Sequence, residues 1–378
     1  MNNLRNIPAP AKLNLFLHVV GQRDDGYHLL ETFFDLIDWN DTISFDLRSD
    51  GALVLANPLP GVPPQIDLCV QAAAHLAQYA RSRERDVPGV TISVDKQLPI
   101  GGGIGGGSSD AATTLLALNR LWNLNFPRAT LAKIGLGLGA DVPVFIQGLP
   151  SWASGIGEKL EPTKLWPGLF YVVLVPDTQV PTSAIFSAPE LTRNTKPLRI
   201  EGSLFEESLL LETMQLPSSK SRGLAGKLDG KLSEKLGEKL SEKTPANIDS
   251  SKTDTKSVLV ANAGTPNLGV SNSVISSAQV VKFLGLKNDL QSVAVTRFPK
   301  VAGALAVLKA ASAGHHSANM VVPPRMTGSG ACVFAGFSSQ ETALAVAEKA
   351  TLAAEANTFI KVARSLKQHP LREWSFSV

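Results

Sequence analysis

The sequence feature that most constrains the fold is a glycine-dense segment, LPIGGGIGGGSSDAA at residues 98–112. Six of the seven positions from 101 to 107 are glycine, which lacks a Cβ atom and lets the backbone turn sharply and bring N–H groups close to a ligand. Apolar residues alternate at 90–94 and recur at helical spacing from Ala111 to Trp122, so we predict a strand, a loop and a helix in succession. A glycine loop that leads into a helix N-terminus, here with Ser108 or Ser109 as the cap, is typical of phosphate binding.

A flexible linker and a dinucleotide-binding loop both fit the sequence around these glycines less well. A flexible linker is seldom framed by two strongly patterned elements. Gly101, Gly103 and Gly106 satisfy the dinucleotide pattern G-x-G-x-x-G, but a second helical segment at 129–139 stands where that pattern requires a strand and an acidic residue. The Walker pattern and the H-R-D and D-F-G sequences of protein kinases are absent from the sequence.

Three long motifs, in the same order, are similar to those of the GHMP small-molecule kinases. They are PAPAKLNLFLHVVGQRDDGYHLLETFF at 8–34, the glycine-dense segment, and RMTGSGACVFAGF at 325–337. The first motif, together with GADVPVF at 139–145 and PTSAIF at 181–186, resembles the branch that phosphorylates the 2-hydroxyl of 4-diphosphocytidyl-2-C-methyl-D-erythritol in non-mevalonate isoprenoid synthesis. The resemblance covers about residues 8–210 and 287–350.

This resemblance implies an α+β fold of two domains with the active site in the cleft between them. We expect an N-terminal nucleotide-binding domain at 1–165 and a C-terminal domain at 166–378. The resemblance also implies ATP as the phosphoryl donor, Mg²⁺ that arrives on the ATP phosphates, and a cytidine diphosphate-linked sugar alcohol as the acceptor. The sequence leaves the Mg²⁺ ligands and the oligomeric state open.

Two charged residues in apolar surroundings are the candidate catalytic groups. Lys12 lies in an apolar strand, where the pattern alone is equally consistent with a water-exposed edge lysine. Asp141 lies at a helix end, where the pattern alone favours a local cap. The resemblance implies that Lys12 is catalytic and that Asp141 is the general base for the substrate hydroxyl, so we predict that the two lie within hydrogen-bond or one-water reach.

The resemblance implies two sets of binding residues. Tyr27 and Phe186 are expected to sandwich cytosine and His28 to bond its edge, although packing on its own domain is the alternative for Tyr27. Asn14 and Thr182 are expected to hold the sugar alcohol or the phosphates. The residues expected to bind the nucleotide are Pro99, Ile100, Gly101, Gly102, Gly103, Ile104, Gly105, Gly106, Gly107, Ser108, Ser109 and Lys96, the last being equally well explained as a solvated strand end.

Other local patterns predict supporting elements. Strands are expected at 8–20, 42–47 and 170–176, and a helix at 67–81. The helix after the glycine segment is followed by a second one that ends at Asp141, because Pro143 bars its continuation. A glycine turn at 326–330 is expected to support the phosphate region, and Asp67 stands where the related kinases have asparagine.

A compositional change marks residues 213–280, which are rich in Lys, Glu, Ser, Asn and Gly. KLSEKLGEKLSEK at 231–243 is a tetrapeptide repeat whose leucines recur every four residues. It lacks the aromatics and the basic excess of a membrane-binding helix. We interpret the segment as an insertion without a fixed fold, with a partner-docking helix as the alternative.

Composition narrows the remaining classes of function. A net charge of +3 is too small to indicate nucleic-acid binding, and 44% hydrophobic residues support a sizeable core. The two cysteines and the N-terminal sequence predict a reduced cytoplasmic protein without a signal peptide, and no apolar run is long enough to span a membrane. His315-His316 lacks accompanying metal-ligand spacing. The alternatives left open are another GHMP kinase of homoserine or mevalonate type, a non-catalytic nucleotide-binding protein and a dehydrogenase.

Overall fold

The computed structural model describes residues 2–58, 63–163, 166, 168–198, 286–314 and 319–376. The insertion predicted at 213–280 and the pair His315-His316 lie outside these residues, so both interpretations stay predictions. Among the described residues, no helix has the length and apolar content that crossing a bilayer requires.

Two long antiparallel strands form the centre of a six-stranded sheet. The strand β1 (Asn3–Gln22) pairs with β2 (His28–Arg48) along nearly its whole length, with several bulges in the register. The remaining strands are β3 (Leu53–Leu55), β4 (Gly89–Asp95), β5 (Ser151–Ser154) and β6 (Lys159–Pro162), and the order across the sheet is β3-β4-β2-β5-β6 with β1 on β2. Both central strands are longer than predicted, and each has a stretch, 9–19 in β1 and 31–37 in β2, that is buried without the alternation by which a strand is recognised.

Four helices belong to this half of the molecule: α1 (Leu68–Arg81), α2 (Gly106–Leu121), α3 (Arg128–Leu136) and α4 (Val142–Gln147). Nearly all of α2 is buried, which agrees with its apolar stripe, and it packs between the sheet and the neighbouring helices. A short 3₁₀ turn at Pro64–Ile66 precedes α1.

Two predicted helix boundaries are wrong. The residue before α2 is Gly105 in a left-handed conformation, so Ser108 and Ser109 lie inside the first turn and neither caps the helix. Helix α3 ends at Leu136, and Pro143 lies in the first turn of the separate helix α4. Proline is tolerated there because the N–H group that it lacks has no partner within the helix at that position.

A second, four-stranded antiparallel sheet follows. Its strands are β7 (Phe170–Val175), β8 (Met320–Met326), β9 (Val333–Phe337) and β10 (Phe359–Arg364), in the order β10-β7-β9-β8. The accompanying helices are α5 (Thr182–Phe186), α6 (Gln291–Arg297), α7 (Pro299–Ser312) and α8 (Gln340–Ala353), and a 3₁₀ turn at Arg372–Trp374 lies near the end of the chain.

Each sheet has its own buried apolar cluster, and together they confirm the α+β class. The division into domains at residues 165 and 166 stays a prediction. The two sheets are joined by Asp35 of β2, whose fully buried carboxylate accepts hydrogen bonds from Trp166 (2.8 Å), Tyr171 (2.6 Å) and Ser365. Burial raises the pKa of Asp35 to about 6, although these hydrogen bonds oppose the shift.

Candidate active site

A cavity of about 1330 Å³ opens along the glycine-dense segment. Strands and helices of the first sheet's half line it, together with helix and turn residues of the other half such as Thr182, Phe186 and Gly328. The lining includes the two candidate catalytic side chains and most of the predicted binding residues. Its volume exceeds the range of about 300–1,000 Å³ that is typical of single-ligand pockets. The cavity therefore has room for two ligands at once.

The glycine segment is held from behind by the turn that connects β8 and β9. The N–H groups of Ala331 and Cys332 donate to the carbonyl oxygens of Gly101 (3.3 Å) and Gly102 (3.1 Å). A Cβ atom on Gly103 would lie 2.4 Å from the carbonyl oxygen of Thr327, so only glycine permits this approach. The turn predicted to support the phosphate region thus contacts it directly.

This turn is itself fixed by a buried amide. The side chain of Asn288 donates to the carbonyl oxygens of Met326 (2.9 Å) and Gly328 (2.8 Å), and the Thr327 hydroxyl accepts from the N–H group of Asn14 at 2.9 Å. The chain segments that meet here are therefore far apart in sequence but rigidly connected.

The N-terminus of α2 opens on the cavity. Gly106, Gly107 and Ser108 occupy its first turn and line the cavity, and the first N–H groups of a helix have no partner within the helix. Those N–H groups and the positive end of the helix dipole favour an anion such as a phosphate. The side chains of Ile104 and Ser109, which the sequence assigned to the nucleotide, are fully buried and do not line the cavity.

The two candidate catalytic groups meet beside this helix. Nζ of Lys12 lies 3.2 Å from Oδ2 of Asp141, as predicted. Lys12 is only 3% exposed, whereas Asp141, just before α4, keeps 35% of its side-chain surface exposed toward the cavity. The arrangement holds a buried ammonium against an accessible carboxylate.

Lys12 is positioned by several neighbours besides Asp141. Its Nζ donates to Oδ1 of Asn14 (2.5 Å) and to the carbonyl oxygen of Gly103 (3.1 Å), and its charge lies 5.3 Å from the centre of the Phe34 ring. The backbone N–H of Lys12 also donates to the carbonyl oxygen of Ile104 at 3.0 Å. The glycine segment and Lys12 are therefore connected through both the side chain and the backbone of the lysine.

The predicted substrate residues also line the cavity, and the part lined by Tyr27, His28 and Phe186 is called the substrate arm. Tyr27 is 59% exposed in the turn between β1 and β2, which contradicts packing of its ring on its own domain. The rings of His28 and Phe186 lie 5.0 Å apart with a tilt of 37°. The hydroxyl of Thr182, at the start of α5, lies 2.8 Å from that of Ser329. All four predicted residues and Asn14 therefore share one cavity with Lys12 and Asp141.

Lys96 directly follows β4 and also lines the cavity. Its Nζ donates to Oδ2 of Asp41 (2.5 Å) and to Oδ2 of Asp110 (2.7 Å). Burial lowers the pKa of Lys96, but the two carboxylates outweigh it and raise that pKa overall, whereas burial raises the pKa of the Asp110 carboxyl. Lys96 is thus ion-paired with two carboxylates, and the alternative of a solvated strand end does not describe it.

Comparison with known proteins places this site in a family. Residues 67–149 match the model of the GHMP kinases N terminal domain. The chain is 42% identical over 97% of its length to a 4-diphosphocytidyl-2-C-methyl-D-erythritol kinase of Cupriavidus metallidurans, covering 95% of that protein. It is 39% identical over 99% of its length to the kinase of the same name from Aromatoleum aromaticum, covering 98% of it.

The chain belongs to the 4-diphosphocytidyl-2-C-methyl-D-erythritol kinase family. A solved 4-(cytidine 5'-diphospho)-2C-methyl-D-erythritol kinase has the same fold, with a TM-score of 0.58 and 25% identity, covering 95% of this chain and 98% of the other. The predicted GHMP kinase fold is therefore confirmed.

Several residues that hold the site together were not among the residues predicted from the sequence. Asp41 and Asp110 hold Lys96, and Thr327 holds both Asn14 and the glycine segment. Asp110 and Thr327 carried a signal, since they belong to the glycine-dense motif and to the predicted turn at 326–330, whereas Asp41 carried none. Asp67, where asparagine was expected, accepts from the N–H group of Cys69 at 2.8 Å as the N-cap of α1 and also lines the cavity.

Proposed function

We propose that this protein transfers the γ-phosphoryl group of ATP to the 2-hydroxyl of 4-diphosphocytidyl-2-C-methyl-D-erythritol, in the synthesis of isoprenoid precursors by the non-mevalonate route. The observation that carries this proposal is the Lys12–Asp141 pair, 3.2 Å apart, beside the glycine segment and the N-terminus of α2. Membership of the kinase family supports the reaction class and the substrate.

Phosphoryl transfer depends mainly on positioning and on charge stabilisation. In the proposed reaction, the N–H groups at Gly106, Gly107 and Ser108 hold the phosphates of ATP. The Asp141 carboxylate accepts the proton of the substrate hydroxyl as its oxygen bonds to the γ-phosphorus. The bond between the γ-phosphorus and the bridging oxygen breaks, and ADP leaves with that bond's electron pair.

Lys12 contributes charge rather than proton transfer in this scheme. Its ammonium holds Asp141 in position and lies where negative charge develops on the transferring group. Because Lys12 is buried and already bonded to Asn14 and Gly103, it is pre-organised and needs no reorientation during the reaction.

Mg²⁺ would come to the site with ATP. The described residues contain no group of three or more His, Cys, Asp or Glu side chains that could hold a metal ion. The cavity wall carries single oxygen donors, among them the Asp141 carboxylate and the Ser108 hydroxyl. When bound, Mg²⁺ would neutralise phosphate charge, and carboxylates on the cavity wall such as Asp67 and Asp141 would be available as oxygen ligands. We propose a cytoplasmic location, which is consistent with two buried cysteines that form no disulfide.

The acceptor would occupy the arm lined by Tyr27, His28 and Phe186. Stacking of a pyrimidine on an exposed aromatic ring contributes about 1–3 kcal/mol, and Tyr27 is the exposed ring that the cavity offers. Asn14 and Thr182 would then face the sugar alcohol and its phosphates, close to Lys12.

A coupled ADP-release assay tests this function. We expect turnover with the cytidine-linked alcohol and none with free homoserine or mevalonate; the opposite preference would reject the substrate assignment. Asp141→Asn should lower kcat by about 10²–10⁴-fold, the usual contribution of a general base. Asp177→Asn is the matched control, because Asp177 forms an exposed ion pair with Lys300 at the same distance of 3.2 Å and lies outside the cavity. Equal kcat in both variants would remove Asp141 from the mechanism.

A further inference from the structure

One guanidinium group connects the imidazole ring of His28 to the backbone at Phe186. Nε of Arg193 donates to Nε2 of His28 at 3.0 Å. Nη2 donates to the carbonyl oxygens of Phe186 (3.0 Å) and Ala188 (2.8 Å), and Nη1 to that of Leu191 (3.1 Å). Arg193 therefore uses all three nitrogens to join His28 to the segment that carries Phe186.

This contact determines where the imidazole proton lies. A guanidinium has only donors, so Nε2 of His28 must accept with its lone pair. A neutral imidazole then carries its proton on Nδ1. Burial and the adjacent Arg193 charge both lower the pKa of His28, which keeps the ring neutral. His28 thus presents an Nδ1–H donor to its surroundings, and it lines the cavity.

The segment around Arg193 is anchored independently of His28. The N–H of Thr195 donates to the carbonyl oxygen of Val19 at 3.0 Å, and its hydroxyl donates to Asp289 at 2.7 Å. The N–H of Leu198 donates to Glu31 at 2.7 Å. Because β1 and β2 hold this segment, Arg193 meets His28 in a fixed geometry before any ligand arrives.

We propose that Arg193 is a positioning residue of the substrate arm: it holds His28 with the proton on Nδ1 and Phe186 in place, so that the arm offers a hydrogen-bond donor to the edge of a cytosine base. Cytosine has an acceptor at ring position N3, whereas uracil carries an N–H there. A fixed donor therefore favours cytosine over uracil. This inference rests on the proposed function for its ligand, but the tautomer of His28 does not depend on it.

The tautomer is measured directly by two-bond ¹H–¹⁵N correlation spectra of the full-length protein. The signals of His28 are assigned among the six histidines by their loss in His28→Gln. We expect the Nδ1–H tautomer in the wild-type protein and its loss in Arg193→Met. A wild-type spectrum with the proton on Nε2 overturns the proposal, and this measurement stands even if the variant fails to fold.

Kinetics supply the second test. Arg193→Met should raise KM for the cytidine-linked substrate about tenfold, the usual effect of losing one oriented hydrogen bond, and leave KM for ATP unchanged. It should also reduce the preference for the cytidine substrate over its uridine analogue. Arg297→Met is the matched control, because Arg297 bonds Glu190 and Ala184 of the same region and is not bonded to His28.

The outcomes separate this inference from the proposed function. If the Arg193 and Arg297 variants have the same KM for the cytidine-linked substrate, the role of Arg193 is overturned. The proposed function would still stand in that case, because it depends on turnover by the wild-type protein. Absence of wild-type turnover with the cytidine substrate would reject the function, and the cytosine part of the inference with it.

Discussion

Gly105 lies where the glycine segment meets the candidate catalytic lysine, and Gly105→Ala tests the coupling between them. Gly105 has φ of +75° at the N-cap of α2. An added Cβ would lie 2.9 Å from Cζ of Phe145 and 3.1 Å from Cε of Lys12. The substitution therefore imposes a left-handed conformation on alanine and also pushes on the lysine stem.

These two effects have different magnitudes. The left-handed conformation costs about 1–2 kcal/mol for a residue with a Cβ. Overpacking a tight site costs about 1–3 kcal/mol more, so Gly105→Ala should lower the free energy of unfolding by about 2–5 kcal/mol. Gly51→Ala is the matched control, because Gly51 has φ of +74° and an added Cβ there meets no atom within 4 Å. Gly51→Ala should therefore lower the free energy of unfolding by the left-handed backbone cost alone, about 1–2 kcal/mol.

Urea denaturation and ADP release measure both consequences. Displacement of Lys12 weakens its bonds to Asn14, Gly103 and Asp141, and a misplacement approaching 1 Å costs about 10²-fold in rate. We expect kcat of Gly105→Ala to fall toward that limit and kcat of Gly51→Ala to stay at the wild-type value. If Gly105→Ala loses no more stability than Gly51→Ala and keeps full turnover, the proposed coupling is refuted.

Three further predictions concern other parts of the molecule. Tyr27→Ala should raise KM for the cytidine substrate about tenfold, through lost stacking, with KM for ATP unchanged in steady-state kinetics; a larger rise for ATP would contradict the placement. Lys96→Met should lower the free energy of unfolding, measured in urea, by about 3–5 kcal/mol, because it leaves the buried carboxylates of Asp41 and Asp110 without their cation. The control Lys300→Met removes only the partner of an exposed carboxylate and should lower it by less than about 1 kcal/mol. The pKa of Asp35 in the folded protein is about 6, above the ordinary 3.8, so the folded state binds this proton more tightly than the unfolded state. Protonated Asp35 therefore contributes about 3 kcal/mol to the free energy of unfolding, and this contribution is lost as the pH rises from about 4 to 6. Asp35→Asn should remove that fall from urea titrations at successive pH values, and an unchanged pH slope would show that another group causes it.

Local elements of this fold were predictable because their causes are local. The strand before the glycine segment and the helix at Leu68–Arg81 follow from hydrophobic period, and the buried strand at Phe170–Val175 follows from a short continuous apolar run. The errors are also local: Gly105 rather than a serine precedes α2, since its left-handed backbone closes the loop one turn earlier. Pro143 begins a helix instead of ending one, because proline suits a first turn as well as it blocks an interior.

By itself, then, the sequence determined the family motifs, the strand, glycine loop and helix in succession, and the choice of Lys12 and Asp141 as candidates, which meet at 3.2 Å. Only the tertiary structure decided which groups support them. Thr327 bonds Asn14 across 313 positions, and Arg193 reaches His28 across 165. Periodicity reports which face of an element is apolar, but it carries no information about which distant segment will pack there. Those pairings depend on how the two sheets and their cores fit together, and that is decided only when the chain has folded.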